Sequence, residues 1–167
     1  MGAELPIVAA PRVVKPRAAD EPLLWLANVL IRYASAEQAL GTFCRTLDLP
    51  SKSGGLDRLA ELLVLLAGQT DRECKMLGQR IERWRANRPY RHLLAHSTLR
   101  ILKDENGQRL VATRHLPRDV NDVTHDRLWT DEERDALLAE VSKDSRSICD
   151  LTRNLRSDSA LIARLKV

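Results

Sequence analysis

The segment Arg91-His92-Leu93-Leu94-Ala95-His96 carries three side chains suited to chemistry on a phosphate group. An imidazole exchanges a proton near neutral pH, and a guanidinium stabilises the negative charge that develops in a phosphoryl transition state. Positions 80 to 100 around it hold six arginines and one acidic residue, Glu82. We therefore expect this segment to bind a phosphodiester and to take part in its cleavage.

Helical geometry decides whether these groups can act together. At about 100° per residue, His92 and His96 project from one helical face, and Arg91 is offset by about 100° from the first and about 140° from the second. The long arginine side chain is able to swing back toward both rings. RNA suits such a site, because its own 2′-hydroxyl can attack the neighbouring phosphodiester without a metal ion and leave a 2′,3′-cyclic phosphate.

Two other interpretations of the same residues stay open. Histidines at positions i and i+4 are a common pair of zinc ligands, but no glutamate stands between them as in HExxH, and His115 and His125 lack supporting ligands at a recognisable spacing. We therefore expect no metal and no other cofactor. In a structural interpretation, the histidines fill gaps and Arg91 pairs with a carboxylate such as Glu37, which lies beside the apolar stripe of the first helix. Alternatively, Glu37 faces Arg91 in a folded cleft and supports the site.

Helical periodicity dominates the elements that must position this segment. A first helix is predicted from about Glu21 to Leu49, because apolar residues recur at spacings of three and four. A second, shorter helix ends at Gly68. Thr70 and Glu73 form a capping box that starts a third helix. The apolar stripe of the first helix consists of Leu26, Val29, Tyr33, Ala36, Leu40, Phe43 and Leu47.

Pro89 divides the region of the motif. A proline inside a helix removes a hydrogen bond, so residues 88–97 form either a kinked continuation of the third helix or a new helix capped by Asn87. From Thr98 the period changes to two, and the Asn-Gly pair that follows predicts a β-hairpin at about 98–114.

The last part of the chain returns to helix. Residues 115–128 show no periodicity and are interpreted as a connecting loop. A second capping box, formed by Thr130 and Glu133, opens a final helix that runs to about Leu165 with a break near Ser157. The elements together predict an all-α fold: a bundle of four or five helices with one inserted β-hairpin.

The length of 167 residues allows one domain with its own core. Prolines interrupt residues 1–19, which we expect to form a flexible N-terminal arm ahead of a single helical domain over 20–167. Nothing in the sequence is long and apolar enough for a membrane span, so we expect no membrane partner.

Composition favours an anionic partner and a reducing compartment. The formal net charge is +4, and 21 of the 27 basic residues are arginines, whose planar fork grips phosphate with two hydrogen bonds. A GC-rich genome also explains the arginine content. The three cysteines, Cys44, Cys74 and Cys149, are odd in number and far apart, which indicates free thiols and a cytoplasmic protein.

The arginine and histidine of the segment, with Ala95 directly before the histidine and a helical bundle around it, resemble the R-x(4–6)-H motif of the HEPN superfamily (higher eukaryotes and prokaryotes nucleotide-binding domain). Four residues separate Arg91 from His96, and the polar Ser97 follows. The similar helical organisation covers about residues 20–165, whereas identity at the level of the motif covers 91–97. The family most often has asparagine after the arginine, where this chain has His92.

The resemblance implies a metal-independent endoribonuclease of a toxin–antitoxin or phage-defence system. It also implies a homodimer whose motif helices line one basic cleft, and an antitoxin protein as a possible partner. Arg91 would stabilise the scissile phosphate, His96 would act as general acid or base, and His92 would assist. The positions of Arg88, Arg85 and Ser97 beside the motif, rather than the family, suggest further contacts to phosphate.

An alternative function is a catalytically inactive helical module that binds nucleotide, nucleic acid or a partner protein through the same face, since some superfamily members have lost catalysis. A DNA-binding regulator is less favoured, because no helix-turn-helix spacing is evident. The long apolar face of the first helix gives a second reason to expect a homodimer, since one small bundle would cover only part of it.

Overall fold

The structure, a computed structural model, describes residues 21–49, 55–107, 109–115 and 126–166. The expected arm at 1–19 lies outside these residues, as does most of the expected loop over 115–128. Six helices and three strands make up the described part. They are α1 Glu21–Thr46, α2 Gly55–Ala67, α3 Arg72–Ala86, α4 Arg88–Ala95, β1 Ser97–Lys103, β2 Arg109–His115, β3 Arg127–Trp129, α5 Asp131–Ser157 and α6 Ser159–Leu165.

The fold is mainly helical, and α1 supplies the centre of its core. Tyr33, Ala36 and Phe43 of the predicted stripe are fully buried, because α1 packs mainly against α5 and is covered elsewhere by α2 and α4. The remaining stripe residues are also buried, except for Leu26, which is partly exposed. The chain therefore covers this stripe itself, which removes the length of the stripe as an argument for a dimer.

The starts of α3 and α5 differ in how far they follow the predicted capping boxes. The box at α5 is confirmed, with Thr130 and Glu133 each accepting a hydrogen bond from the backbone N–H of the other. At α3 the predicted cap is wrong by one residue. The N-cap is Asp71, whose carboxylate accepts from the N–H groups of Glu73 and Cys74 at 2.8 and 3.2 Å. A charged carboxylate also interacts favourably with the positive end of the helix.

Asn87 separates α3 from α4, with Pro89 in the first turn of α4. The Asn87 carbonyl accepts hydrogen bonds from the Tyr33 hydroxyl at 2.6 Å and from the Tyr90 N–H at 3.1 Å. Its side chain makes no capping hydrogen bond. The motif therefore lies on a new helix, as one of the two alternatives predicts, but the junction is stabilised by a buried tyrosine of α1 rather than by the asparagine side chain.

The predicted hairpin is confirmed. Strands β1 and β2 pair antiparallel, with Ile101 opposite Val111. Gly107 has a φ of +78°, in the left-handed region that glycine adopts without strain, so the turn depends on this residue. Because β1 begins one residue after the C-cap of α4, the sheet directly follows the motif helix.

A third strand, β3, extends the hairpin. The predicted loop over 115–128 is therefore wrong at its C-terminal end, where β3 begins at Arg127. Strand β3 pairs antiparallel with β2, so that the order in the sheet is β1-β2-β3. Sequence periodicity did not predict β3, because three residues are too few to show the alternating pattern of a strand. The buried ring of Trp129 lies 5.4 Å from that of Trp25 and 5.6 Å from that of Tyr90, measured between ring centroids. The strand thus attaches the sheet to α1 and α4.

Candidate active site

Two buried leucines orient the motif helix. Leu93 and Leu94 are 5% and 2% exposed, so they hold α4 against the core. Arg91, His92 and His96 consequently occupy the outer sides of the helix, where each is half-buried. The backbone is fixed by packing while the charged and titratable groups keep access to solvent.

The two imidazole rings lie side by side at the C-terminal end of α4. Their centroids are 4.8 Å apart and their planes are tilted by 56°, as the i, i+4 spacing predicts. His96 is the C-cap, and its backbone N–H donates to the carbonyls of His92 and Leu93. The Ser97 hydroxyl donates to the Leu93 carbonyl and is therefore engaged at the helix end. The ring pair can present two proton-transfer groups to one reacting centre.

Arg91 points toward α1 and pairs with Glu37. Its Nη2 lies 3.3 Å from Glu37 Oε2, and the two side chains are 36% and 30% exposed. The contact is the ion pair of the structural interpretation. It also has a consequence for chemistry, because it holds the guanidinium at a defined place between α1 and α4.

Beside this pair, α1, α2, α3 and α4 enclose a cavity of about 260 Å³, here named the arginine groove. Of the residues that the structure describes, Arg58, Arg88 and Arg91 line it together with one acid, Glu37, so these four ionised groups have a net charge of +2. The guanidinium of Arg88 lies 5.9 Å from the ring centroid of Trp84. The remaining lining residues are Leu40, Gly41, Cys44 and Leu59.

Three residues of the arginine groove carry buried polar atoms that make no hydrogen bond in the described part of the chain. These atoms are Glu37 Oε1, Arg58 Nε and Trp84 Nε1. Each such atom costs about 1–3 kcal/mol if it stays without a partner. Most buried polar groups in folded proteins are satisfied, so three such atoms on the lining residues of one cavity leave unused hydrogen-bonding capacity at the groove.

Neither histidine lines the arginine groove, and the structure thus separates the predicted site into two adjoining parts. Arg91 and Arg88 belong to the groove, whereas His92 and His96 lie at the end of α4. Arg85 is not part of the groove lining and pairs with Glu82 at 3.5 Å on the exposed side of α3.

Sequence reasoning missed Arg58 as a site residue and interpreted Trp84 only as core. Trp84 is indeed 1% exposed, yet one side of it faces the cavity. Arg58 lies one turn before Leu62, which is fully buried on the apolar stripe of α2. An arginine in line with such a stripe is the signal that would have identified it.

Cys44 lines the same groove but does not suit nucleophilic chemistry. Burial raises the pKa of its thiol, and the nearby Arg58 opposes this rise only in part. The group is therefore a neutral thiol at physiological pH, and the thiolate is the nucleophilic form. Cys44 thus acts as part of the apolar wall.

Among the residues that the structure describes, no group of three histidine, cysteine or acidic side chains is placed to hold a metal ion. Over the same ranges, no helix has both the length and the apolar character needed to cross a membrane. Comparisons with protein-family models, with curated proteins and with solved structures found no match.

Proposed function

We propose that this protein is a metal-independent endoribonuclease with a HEPN-like helical bundle, acting on RNA through a 2′,3′-cyclic phosphate. The observation that carries the proposal is the arrangement on α4. Two half-buried imidazoles lie 4.8 Å apart, and on the same short helix Arg91 reaches a groove of net positive charge. One short helix therefore carries a pair of proton-transfer groups and, in the neighbouring groove, an anion-stabilising group.

The chemistry assigns a role to each group. His96 removes the proton of the ribose 2′-hydroxyl, and the 2′-oxygen forms a bond to phosphorus while the bond from phosphorus to the 5′-oxygen breaks. His92 assists by giving a proton to the departing 5′-oxygen. Arg91 stabilises the charge on the non-bridging oxygens, which is strongest in the transition state. Arg88 contacts a flanking phosphate, whereas the predicted contacts of Ser97 and Arg85 would require these side chains to leave the Leu93 carbonyl and Glu82.

The proposal also includes the cell compartment, the oligomeric state and a partner protein. Three cysteines without disulfides fit a cytoplasmic protein. A homodimer would bring two α4 helices into one cleft, and an antitoxin or other partner protein would restrain an enzyme that cuts RNA in the cell. The resemblance of the motif to the HEPN superfamily supports the homodimer and the partner protein.

A second candidate is a catalytically inactive module that binds nucleotide, nucleic acid or a partner protein. One observation favours it. Arg91 is engaged by Glu37, and the groove that it lines contains neither His92 nor His96. In that case the positive groove would bind its ligand without any bond being broken.

RNA cleavage in EDTA separates the two candidates. The purified protein is incubated with end-labelled RNA, and the fragments are examined for cyclic phosphate ends. Arg91→Ala and His96→Ala should each lower the cleavage rate at least 100-fold, since each removes a group that acts in the transition state. Arg153→Ala is the matched control, because Arg153 is 73% exposed on α5 and outside the arginine groove.

Circular dichroism and light scattering accompany the assay. The variants should keep the helical spectrum and the oligomeric state of the native protein. Full cleavage by both variants, or no cleavage by the native protein on any of a set of unstructured RNAs, would contradict the nuclease and favour the binding module. A strict monomer that cleaves RNA would contradict the shared cleft.

A further inference from the structure

The arginine groove offers a specific set of hydrogen-bonding atoms. Glu37 Oε1 accepts, whereas Arg58 Nε and Trp84 Nε1 only donate. A ligand that satisfies all three residues must therefore present an N–H donor close to acceptor atoms.

This requirement separates classes of ligand. Simple carboxylates present only acceptors at neutral pH, and both they and inorganic phosphate would bring negative charge against Glu37. The edge of a nucleobase carries donor and acceptor atoms side by side, and carboxylate and guanidinium groups are among the side chains that pair with such edges. The apolar wall of Leu40, Leu59 and Cys44 suits the flat face of a base.

The charge and the size of the arginine groove also fit a nucleotide. The net positive charge of the groove attracts the phosphodiester of an RNA nucleotide, which carries one negative charge. The volume of about 260 Å³ lies just below the range of about 300–1,000 Å³ typical of small-molecule pockets. It therefore has room for one nucleotide and not for a longer segment of a chain.

We infer that the arginine groove is a nucleotide subsite, in which the base contacts Glu37, Arg58 and Trp84 while the phosphate meets Arg88 and Arg91. The inference rests on the proposed function, because this nucleotide is the one next to the phosphate that is cleaved. Arg91 joins the two parts of the site, since it lines the groove and lies one residue before His92. The groove thus selects which base stands beside the cleaved bond.

Binding of mononucleotides tests the subsite without any cleavage. Isothermal titration calorimetry of the full chain is carried out with AMP, GMP, CMP and UMP, and with ribose 5-phosphate, which has the sugar and the phosphate but no base. At least one nucleotide should bind 10-fold more tightly than ribose 5-phosphate. Arg58→Met and Trp84→Phe should each reduce this preference at least threefold, since the first removes the guanidinium donors with their charge and the second removes the indole N–H donor.

Two controls make the result specific. Arg153→Met removes an exposed arginine far along α5 and should leave the preference unchanged. Thermal melting by circular dichroism shows whether Trp84→Phe still folds, and Arg58→Met keeps the test valid if it does not. The inference is overturned if ribose 5-phosphate binds as tightly as every nucleotide, if nothing binds at all, or if folded Arg58→Met keeps the full preference.

His96→Ala distinguishes the failure of the subsite from the failure of the nuclease. This variant should retain the native preference among nucleotides, because His96 does not line the groove. Base-dependent binding in a protein that cuts no RNA would support the subsite and contradict the nuclease. Cleavage of RNA without any base-dependent binding would support the nuclease and overturn the subsite.

Discussion

Arg91 and Glu37, 54 residues apart in the sequence, meet at 3.3 Å across α4 and α1. Both side chains are about one-third exposed, and ion pairs of this kind contribute at most about 1 kcal/mol to stability. The pair therefore matters more for position than for the free energy of unfolding. It fixes a guanidinium at the boundary between the arginine groove and the histidine end of α4.

Glu37→Gln should raise the affinity for RNA while it weakens discrimination among bases. The amide keeps the size of the side chain but raises the net charge of the groove, so short RNA should bind about three- to fivefold more tightly at low salt. Fluorescence anisotropy in the His96→Ala background measures binding without cleavage. Glu105→Gln makes the same change of charge at the exposed hairpin turn and should have less effect. Equal effects of the two substitutions would contradict a role for Glu37 in the groove.

Asp71→Ala and Thr70→Ala should differ in stability. Asp71 caps α3 with two hydrogen bonds, so its loss should lower the free energy of unfolding by about 1 kcal/mol. Thr70 is exposed and does not cap the helix, so Thr70→Ala should change it by less than about 0.5 kcal/mol. Urea unfolding of both variants gives the comparison. A larger loss of unfolding free energy for Thr70→Ala would show that Thr70 caps α3, as the sequence predicts.

Tyr33→Phe should destabilise the junction that carries the motif helix. The Tyr33 hydroxyl is buried and donates to the Asn87 carbonyl between α3 and α4, and its loss should cost about 1 kcal/mol. Tyr90→Phe is the matched control, because the hydrogen bond that the described residues give to the Tyr90 hydroxyl comes from the partly exposed Arg127. Urea unfolding should therefore show a smaller loss for Tyr90→Phe. The opposite order would show that Tyr33 does not hold the junction.

Asp144→Asn should remove one component of the pH dependence of stability. Burial raises the pKa of Asp144 above the ordinary value of 3.8, with Glu140 acting in the same direction and Arg83 and Lys143 opposing. The folded protein therefore binds this proton more tightly than the unfolded chain does, and the Asp144 contribution to stability falls as pH rises through the raised pKa. The Asp144→Asn variant lacks this decrease in stability with rising pH, although Arg80 and Arg83 lose a charged partner in it.

Urea unfolding between pH 3 and pH 7 measures this component. The difference in unfolding free energy between Asp144→Asn and the native protein should shift in favour of the variant as pH rises. Asp150→Asn serves as control, because Asp150 lies on the same helix with its side chain 54% exposed. A difference for Asp144→Asn that stays constant across this range would contradict the pKa shift.

The helices were predictable because the forces that specify them act between near neighbours. The stripe of α1, the capping box at Thr130 and the break near Ser157 depend on residues within a few positions of one another, and all three are found. The hairpin follows equally from Gly107 and the alternation around it. The cap of α3 is the exception, because two acceptable capping residues stand side by side and the sequence does not say which one is used.

The sequence allowed a prediction only for the part of the site that lies on α4. The sequence placed Arg91, His92 and His96 on adjoining faces of α4, and the 4.8 Å ring contact agrees with that spacing. It gave no sign that the histidines would be left out of the cavity that Arg91 lines. That division depends on which side of α4 is pressed against α1, and the burial of Leu93 and Leu94 decides it.

By itself the sequence determined the local order of the molecule: where helices start, where the hairpin turns, and that basic and titratable groups gather near Arg91. Only the tertiary structure decided that Glu37, Arg58, Trp84 and Arg88 surround the same cavity, and that β3 completes the sheet. The physical reason is the distance along the sequence over which each interaction acts. Periodicity and capping act over a few residues, whereas the groove depends on how four helices pack, and packing joins residues that no local pattern relates.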